Sequence, residues 1–221
     1  MQAWRADSPY EWVGYYLAAP CHRDSSWVGT RPRLERMGWG TAVLYVGQQV
    51  FEGTPDSVPE EGPILCSRTL LTAAQGRTDA RDAIAKASTE GFPPGTTVFL
   101  DIEKVNQLPD SLRTYFRAWQ AEVLSEGRYV PGTYVHRENA VALFQDALAV
   151  FREAGRTDTP VFWVSGGSGF TLDADPRAVG MNFAVIWQGV LDAERTWGGA
   201  TLNVDENVAT RPSPSAPRNT L

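Results

Sequence analysis

The amino-acid sequence predicts an α/β fold of the (β/α)8 TIM-barrel type, and three observations point there. Apolar strand-like runs alternate with segments of helical period through the middle of the chain. Seven such strands are countable, one short of a closed eight-strand barrel. No strand pair is joined by a recognisable two-residue hairpin turn, so the sheet reads as parallel with helical crossovers.

In chain order, residues 11–17 (EWVGYYL) form the first β-branched and aromatic run, closed by Ala18-Ala19-Pro20. The turn Gly38-Trp39-Gly40 introduces a second strand over 41–49 (TAVLYVGQQ), and a loop rich in Pro, Gly and acidic residues spans 52–63. A helix is expected over 77–90, where Ala80, Ile84 and Ala87 share a face and Gly91 supplies the C′ residue. Gly95 opens a buried strand over 97–103 (TVFLDIE). Pro109 then starts a helix whose apolar face is Leu112, Phe116, Trp119 and Val123, ending at Gly127. The next strand, 129–136, is interrupted by Pro131-Gly132, and a helix over 139–154 follows with Leu143, Ala147 and Val150 on one side. Strands over 159–165, 183–188 and 200–205 complete the series. Residues 1–210 are thus expected to form one barrel domain, and 211–221, with three prolines and no apolar period, a loose tail.

Composition excludes several function classes. The chain of 221 residues is 43% hydrophobic, with 8 Trp, 9 Phe and 7 Tyr, enough for a large core. Its net charge of −6, with basic residues scattered along the chain, argues against nucleic acid as a partner. No apolar run approaches the roughly 20 residues a membrane span requires, and no signal peptide is visible at the start. Cys21 and Cys66 are the two cysteines, and buried thiols or a disulfide fit equally well. Gly166-Gly167-Ser168-Gly169 follows a strand but has no phosphate-loop spacing, and GxSxG is absent. No cofactor is implied.

The chemistry-bearing feature is Phe99-Leu100-Asp101-Ile102-Glu103. Strand alternation puts Asp101 and Glu103 on one face, with Leu100 and Ile102 on the other packing under helices. Positions i and i+2 lie about 6.6 Å apart. Two carboxylates that close repel, so their pKa values separate and one can serve as acid while the other stays ionised. Other strands end in polar groups that a barrel would gather at one mouth: Gln48 and Gln49, His136, Ser165, Gln188, and Asp205 with Asn207. Tyr45, Tyr134, Trp163 and Trp187 are candidates to stack on or bond to a sugar, although aromatics in barrel strands more often serve as core. A lone histidine such as His136 is more often structural, and His22 has still less context. A metal held by Asp101, Glu103, Asp205 and His136 is a minority reading, since no ligand spacing such as HxH supports it.

Several short elements together resemble a known family. Trp12-Val13-Gly14-Tyr15-Tyr16-Leu17, Leu44-Tyr45-Val46-Gly47-Gln48-Gln49, Gly91-Phe92-Pro93-Pro94-Gly95-Thr96, Phe99 to Glu103 and Pro131-Gly132-Thr133-Tyr134 are similar to a bacterial glycoside-hydrolase-like family of unknown function. That family is related to the glycoside hydrolase family 25 lysozymes (muramidases). Trp187-Gln188 and Val204-Asp205-Glu206-Asn207 resemble the closing elements of those lysozymes. The resemblance runs from roughly Trp4 to Asn207. It implies a barrel acting on a peptidoglycan-type glycan with N-acetyl sugars, with Glu103 as general acid, Asp101 as partner carboxylate and Asp205 as a third acid. Tyr45, Gln48, Tyr134, His136, Trp187, Gln188 and Asn207 would bind substrate, with no metal, and the protein would be exported or cell-wall associated. Family members begin with an aspartate-bearing strand that is absent here: either the chain is truncated, or its start is assigned too late, or this member works without that strand, and if it is missing two sheet edges are expected to be unpaired. The rival function is a glycan-binding barrel that has lost the reaction.

Overall fold

The computed structural model describes residues 1–22, 24–50 and 66–218. Its elements alternate as expected: α1 (Gln2–Asp7), β1 (Trp12–Tyr16), α2 (Arg31–Arg36), β2 (Gly40–Val46), α3 (Ala73–Thr89), β3 (Thr97–Ile102), α4 (Asp110–Glu126), β4 (Val130–His136), α5 (Arg137–Glu153), β5 (Val161–Ser165), β6 (Ala184–Trp197) and β7 (Ala200–Ala209). All seven strands form one curled sheet in sequence order, β1 to β6 parallel. This is a TIM-like barrel one strand short. The loop expected over 52–63 lies outside the described residues.

The helices end where the local chemistry ends them. Thr72 caps α3 by accepting the Gln75 amide at 3.1 Å, and Gly127, at φ 77°, closes α4 in the left-handed region that glycine enters without a Cβ penalty. α3 packs closely on α4 because Gly76 has no side chain: a Cβ there would stand 2.4 Å from the Tyr115 carbonyl oxygen.

Strand alternation sorts the sheet residues into two layers. Tyr15, Val43, Tyr45, Val98, Leu100, Val135, Phe162 and Trp187 face outward and pack with helix residues such as Leu112, Phe116, Trp119 and Leu143. Ala42, Leu44, Phe99, Val161, Trp163 and Ile186 pack with one another on the concave side, joined by Trp12, Tyr16 and Tyr134. Full burial of one such side chain contributes about 1.5–3 kcal/mol, so the outer layer carries much of the fold's stability.

Three features differ from the sequence expectation. First, β7 runs antiparallel to β6, and both are longer than expected. The hairpin turn is Gly198-Gly199, with φ of 54° and 74°, the two left-handed residues that a tight hairpin favours. Second, residues 211–218 are docked rather than loose. The Ser215 amide donates to the Thr41 carbonyl (2.9 Å), the Ser215 carbonyl accepts the Thr97 amide (2.9 Å), and the Ser215 hydroxyl accepts the Val43 amide (2.8 Å). The segment thereby closes the barrel floor where β2 and β3 begin, satisfying backbone groups that no strand pairs. Third, α2 and the 3-10 turns Arg68–Leu70 and Pro176–Val179 had no readable period.

β1 and β7 form the two edges of the sheet and do not pair with each other. A cavity of about 710 Å³ lies between them, walled by Trp12, Gly14 and Tyr16 on one side and Asp205, Asn207 and Ala209 on the other. Side chains span this flank instead of a strand. The Tyr10 hydroxyl donates to Glu206 (2.6 Å), which also pairs with Arg195 (2.8 Å), and the Trp4 indole donates to the Ala200 carbonyl (2.8 Å). Cys21 and Cys66 form a disulfide, Cα atoms 5.0 Å apart, tying the loop after β1 to the segment before α3. Among the described residues, no helix is long and apolar enough to cross a membrane.

Candidate active site

Asp101 is the inward-facing residue near the end of β3 and is 4% exposed. Its Oδ1 has no hydrogen-bond partner, a costly state for a buried carboxylate. Burial first, and the neighbouring Glu103 charge second, push its carboxyl well above the usual carboxylate range. Glu103 follows the strand and is accessible to solvent, yet protein surrounds it closely enough that desolvation raises its pKa too. The backbone amide of Lys104 opposes that rise. The pair therefore retains a proton further towards neutral pH than free carboxyls would, and it titrates as a unit.

Gln49 sets the backbone that carries both acids. Its Nε2 donates to the Asp101 carbonyl (2.8 Å), and its Oε1 accepts the Glu103 amide (3.1 Å). Asn139 does the same two residues on, exchanging hydrogen bonds with the Val105 amide and carbonyl (3.1 and 2.9 Å).

Tyr16 lies within electrostatic reach of all three acids. Its hydroxyl is raised above the usual range by burial and then by the charges of Asp101, Asp205 and Glu103, in that order. Tyr134 feels Asp101 and Glu103 in the same way. Asp101, Glu103 and Asp205 thus act electrostatically on the same tyrosine, Tyr16. The His22 ring stacks on Tyr16 with centroids 4.5 Å apart, and burial lowers its pKa, which keeps the imidazole neutral at pH 7. The flank cavity reaches Tyr16, Tyr134, Gln188, Asp205 and Asn207; Asp101 and Glu103 are not in its wall.

Of the expected substrate contacts, Tyr134, Gln188 and Asn207 are on this concave side. The Tyr134 hydroxyl donates to Gln188 (2.6 Å), Gln188 Nε2 donates to Asp205 (2.9 Å), and Asn207 Oδ1 accepts the Trp163 indole N–H (2.9 Å). Trp163 meets Trp12, Phe99 and Tyr134 edge-on.

The other four are placed elsewhere. Tyr45 faces the helices and donates to Asp82 of α3 (2.8 Å). Gln48 is buried on that outer side, where its Oε1 accepts the Ser67 amide (2.8 Å) and its Nε2 approaches Asp79 (3.4 Å). Trp187 is buried under the segment after β5 and donates to the Gly166 carbonyl (2.7 Å). His136 caps α5 through its Nδ1, which accepts the Glu138 amide (3.3 Å). A Cβ on Gly166 would lie 2.6 Å from His136 Nε2, so this glycine makes room for the ring. Burial and the Lys104 charge lower the His136 pKa. Among the described residues, no three His, Cys, Asp or Glu side chains gather as a cation would require.

Known proteins share this architecture. A family model described as "Rv2525c-like, glycoside hydrolase-like domain" matches residues 2–209. An uncharacterized B. stearothermophilus protein aligns at 19% identity and a TM-score of 0.62 over 95% of this chain and 89% of its own. The spore cortex lytic enzyme SleM of Clostridium perfringens aligns at 10% identity and a TM-score of 0.58, over 93% of this chain and 61% of SleM. The modular autolysin LytC of Streptococcus pneumoniae, in complex with a synthetic peptidoglycan ligand, aligns at 13% identity and a TM-score of 0.53, over 89% of this chain and 40% of LytC. At these identities the likeness is one of fold. No curated protein matches the sequence.

Proposed function

The chain belongs to the Rv2525c-like family of glycoside hydrolase-like domains, and from that premise we propose that it hydrolyses a cell-wall glycan containing N-acetyl sugars, with Glu103 as the general acid. The fold likeness to SleM, a spore cortex lytic enzyme, and to LytC, bound to a peptidoglycan ligand, supports the substrate class.

The observation that carries the reading is the unpartnered, buried Oδ1 of Asp101 beside an accessible Glu103. With the site empty, burial favours leaving the shared proton on Asp101. A substrate acetamido N–H donated to Asp101 Oδ1 stabilises the ionised form of that carboxyl. The proton preference then passes to Glu103, the member of the pair that a glycosidic oxygen can reach. Ionised Asp101 in turn holds the acetamido group so that its carbonyl oxygen can approach the anomeric carbon as the bond to the leaving group breaks. The spacing of about 6.6 Å expected between positions i and i+2 along a strand exceeds the retaining range and meets the lower limit of the inverting one. Asp205 contributes negative potential on the opposite wall, where positive charge develops on the sugar.

Incubating purified peptidoglycan with the wild-type protein and with Glu103→Gln tests this. The wild type should release reducing ends, and the variant should lose about 10²–10⁴-fold in rate with its melting temperature unchanged. Equal turnover in the two removes the assignment.

The open flank favours a second reading. A cavity walled by Tyr16, Tyr134 and Gln188, with the acid pair outside its wall, suits a barrel that holds a glycan without cutting it. Muropeptide binding without release of reducing ends would select that reading.

A further inference from the structure

Sequence logic places Tyr134 and Gln188 among substrate contacts; their hydrogen bonds point elsewhere. Gln188 Oε1 is occupied by the Tyr134 hydroxyl at 2.6 Å, and its Nε2 by Asp205 Oδ2 at 2.9 Å. A hydroxyl donor on one side and a carboxylate acceptor on the other leave one orientation for the amide: oxygen towards Tyr134, nitrogen towards Asp205. Three strands, β4, β6 and β7, thus supply one directed chain from Tyr134 through Gln188 to Asp205.

The other oxygen of Asp205 is held from the opposite side. Oδ1 accepts the backbone amide of Asp192 at 2.9 Å. Asp192 has φ 53°, a left-handed conformation that a non-glycine residue adopts at a cost, and it is the only such residue among those described. It sits where β6 carries extra residues: the register against β7 shifts between Gln188 and Val190 and again between Val190 and Ala193. Such bulges re-aim backbone groups next to sites. Here one aims an amide at Asp205, and Asn203 Nδ2 steadies the turn by donating to Asp192 Oδ1 (3.3 Å).

We propose that Gln188, oriented by Tyr134, and the left-handed Asp192 are positioning residues that lock the Asp205 carboxylate in one rotamer facing the concave space. The proposal rests on the role given above to Asp205 in glycan hydrolysis. Gln188 acts through Asp205 rather than on the sugar, so its loss should lower kcat and spare KM.

Three variants and an NMR measurement test this. Gln188→Leu should lose about 10²-fold in kcat, the scale of an ångström-sized misplacement, with KM within about threefold. Gln188→Glu puts two carboxyls in contact. It should be nearly as impaired at pH 7 but recover about tenfold relative to wild type towards pH 5, where a shared proton restores a donor to Asp205. A Gln188→Glu profile parallel to wild type, or a defect confined to KM, would overturn the proposal. Side-chain amide NMR reads the chain without any assay of cleavage. The Gln188 NH2 protons should exchange slowly in wild type and faster in Tyr134→Phe, whereas solvent-like exchange in wild type would refute the lock. Slow exchange in a protein that cleaves no glycan would leave the lock standing and remove the hydrolase reading.

Discussion

Gln49 grips the backbone on both sides of Ile102, giving its Nε2 to the Asp101 carbonyl and taking the Glu103 amide on its Oε1. One side chain just beyond the end of β2 thereby fixes the two peptide units that aim the acid pair. Gln49→Leu should cost about 1–3 kcal/mol, since it leaves the buried Asp101 carbonyl and the part-buried Glu103 amide unpaired. It should also lower kcat by more than this loss of stability explains. Denaturant unfolding and glycan turnover measured side by side separate the two effects.

Asp101 should make the fold weaker as pH rises. Its folded pKa lies above the unfolded value of about 3.9, so the folded state binds the proton more tightly. Its contribution is complete below the unfolded pKa and is lost as pH climbs through the folded one. Asp101→Asn removes this dependence. The melting temperature of the variant relative to wild type should therefore rise between pH 4 and pH 7. A constant difference across that range would show that Asp101 is ionised as readily in the fold as outside it.

The disulfide spans 45 positions. Cys66→Ser should destabilise by about 2–4 kcal/mol through the freed unfolded chain. It should also loosen His22 from Tyr16, because Cys21 immediately precedes His22. Guanidinium midpoints with and without reductant give the first effect, and the His22 ring resonances the second.

Tyr45→Phe removes one hydrogen bond to Asp82 on the helix side. It should cost about 0.5–1.5 kcal/mol and leave glycan turnover and KM as they are. A raised KM would place this ring in the substrate path.

Much of the site was legible because strands alternate. The DIE run indicates which side of β3 carries acid, and residues 101, 103 and 205 all act electrostatically on Tyr16. Alternation also forbids some of what was expected: Trp187 and Gln188 are neighbours in a strand and cannot face the same way. Gln48 and Gln49 follow the end of β2, where the period stops, so nothing in the sequence says which one turns towards the acids. His136 reads as a strand end, but α5 begins at the very next residue, which makes it a cap. Asp192 carries no signal, since a bulge is set by two strands together. Gly198-Gly199 does carry a signal, a glycine pair suited to a hairpin between two strand-like runs.

Ser215 gives the barrel a late-arriving keystone. The backbone groups of Thr41, Val43 and Thr97 precede their shared partner, Ser215, by more than a hundred residues. During synthesis the seam between the second and third strands stays unfinished until Ser215 has left the ribosome. Such distant closure slows folding and lengthens exposure of the nascent sheet, so this protein should depend on chaperones more than its size suggests.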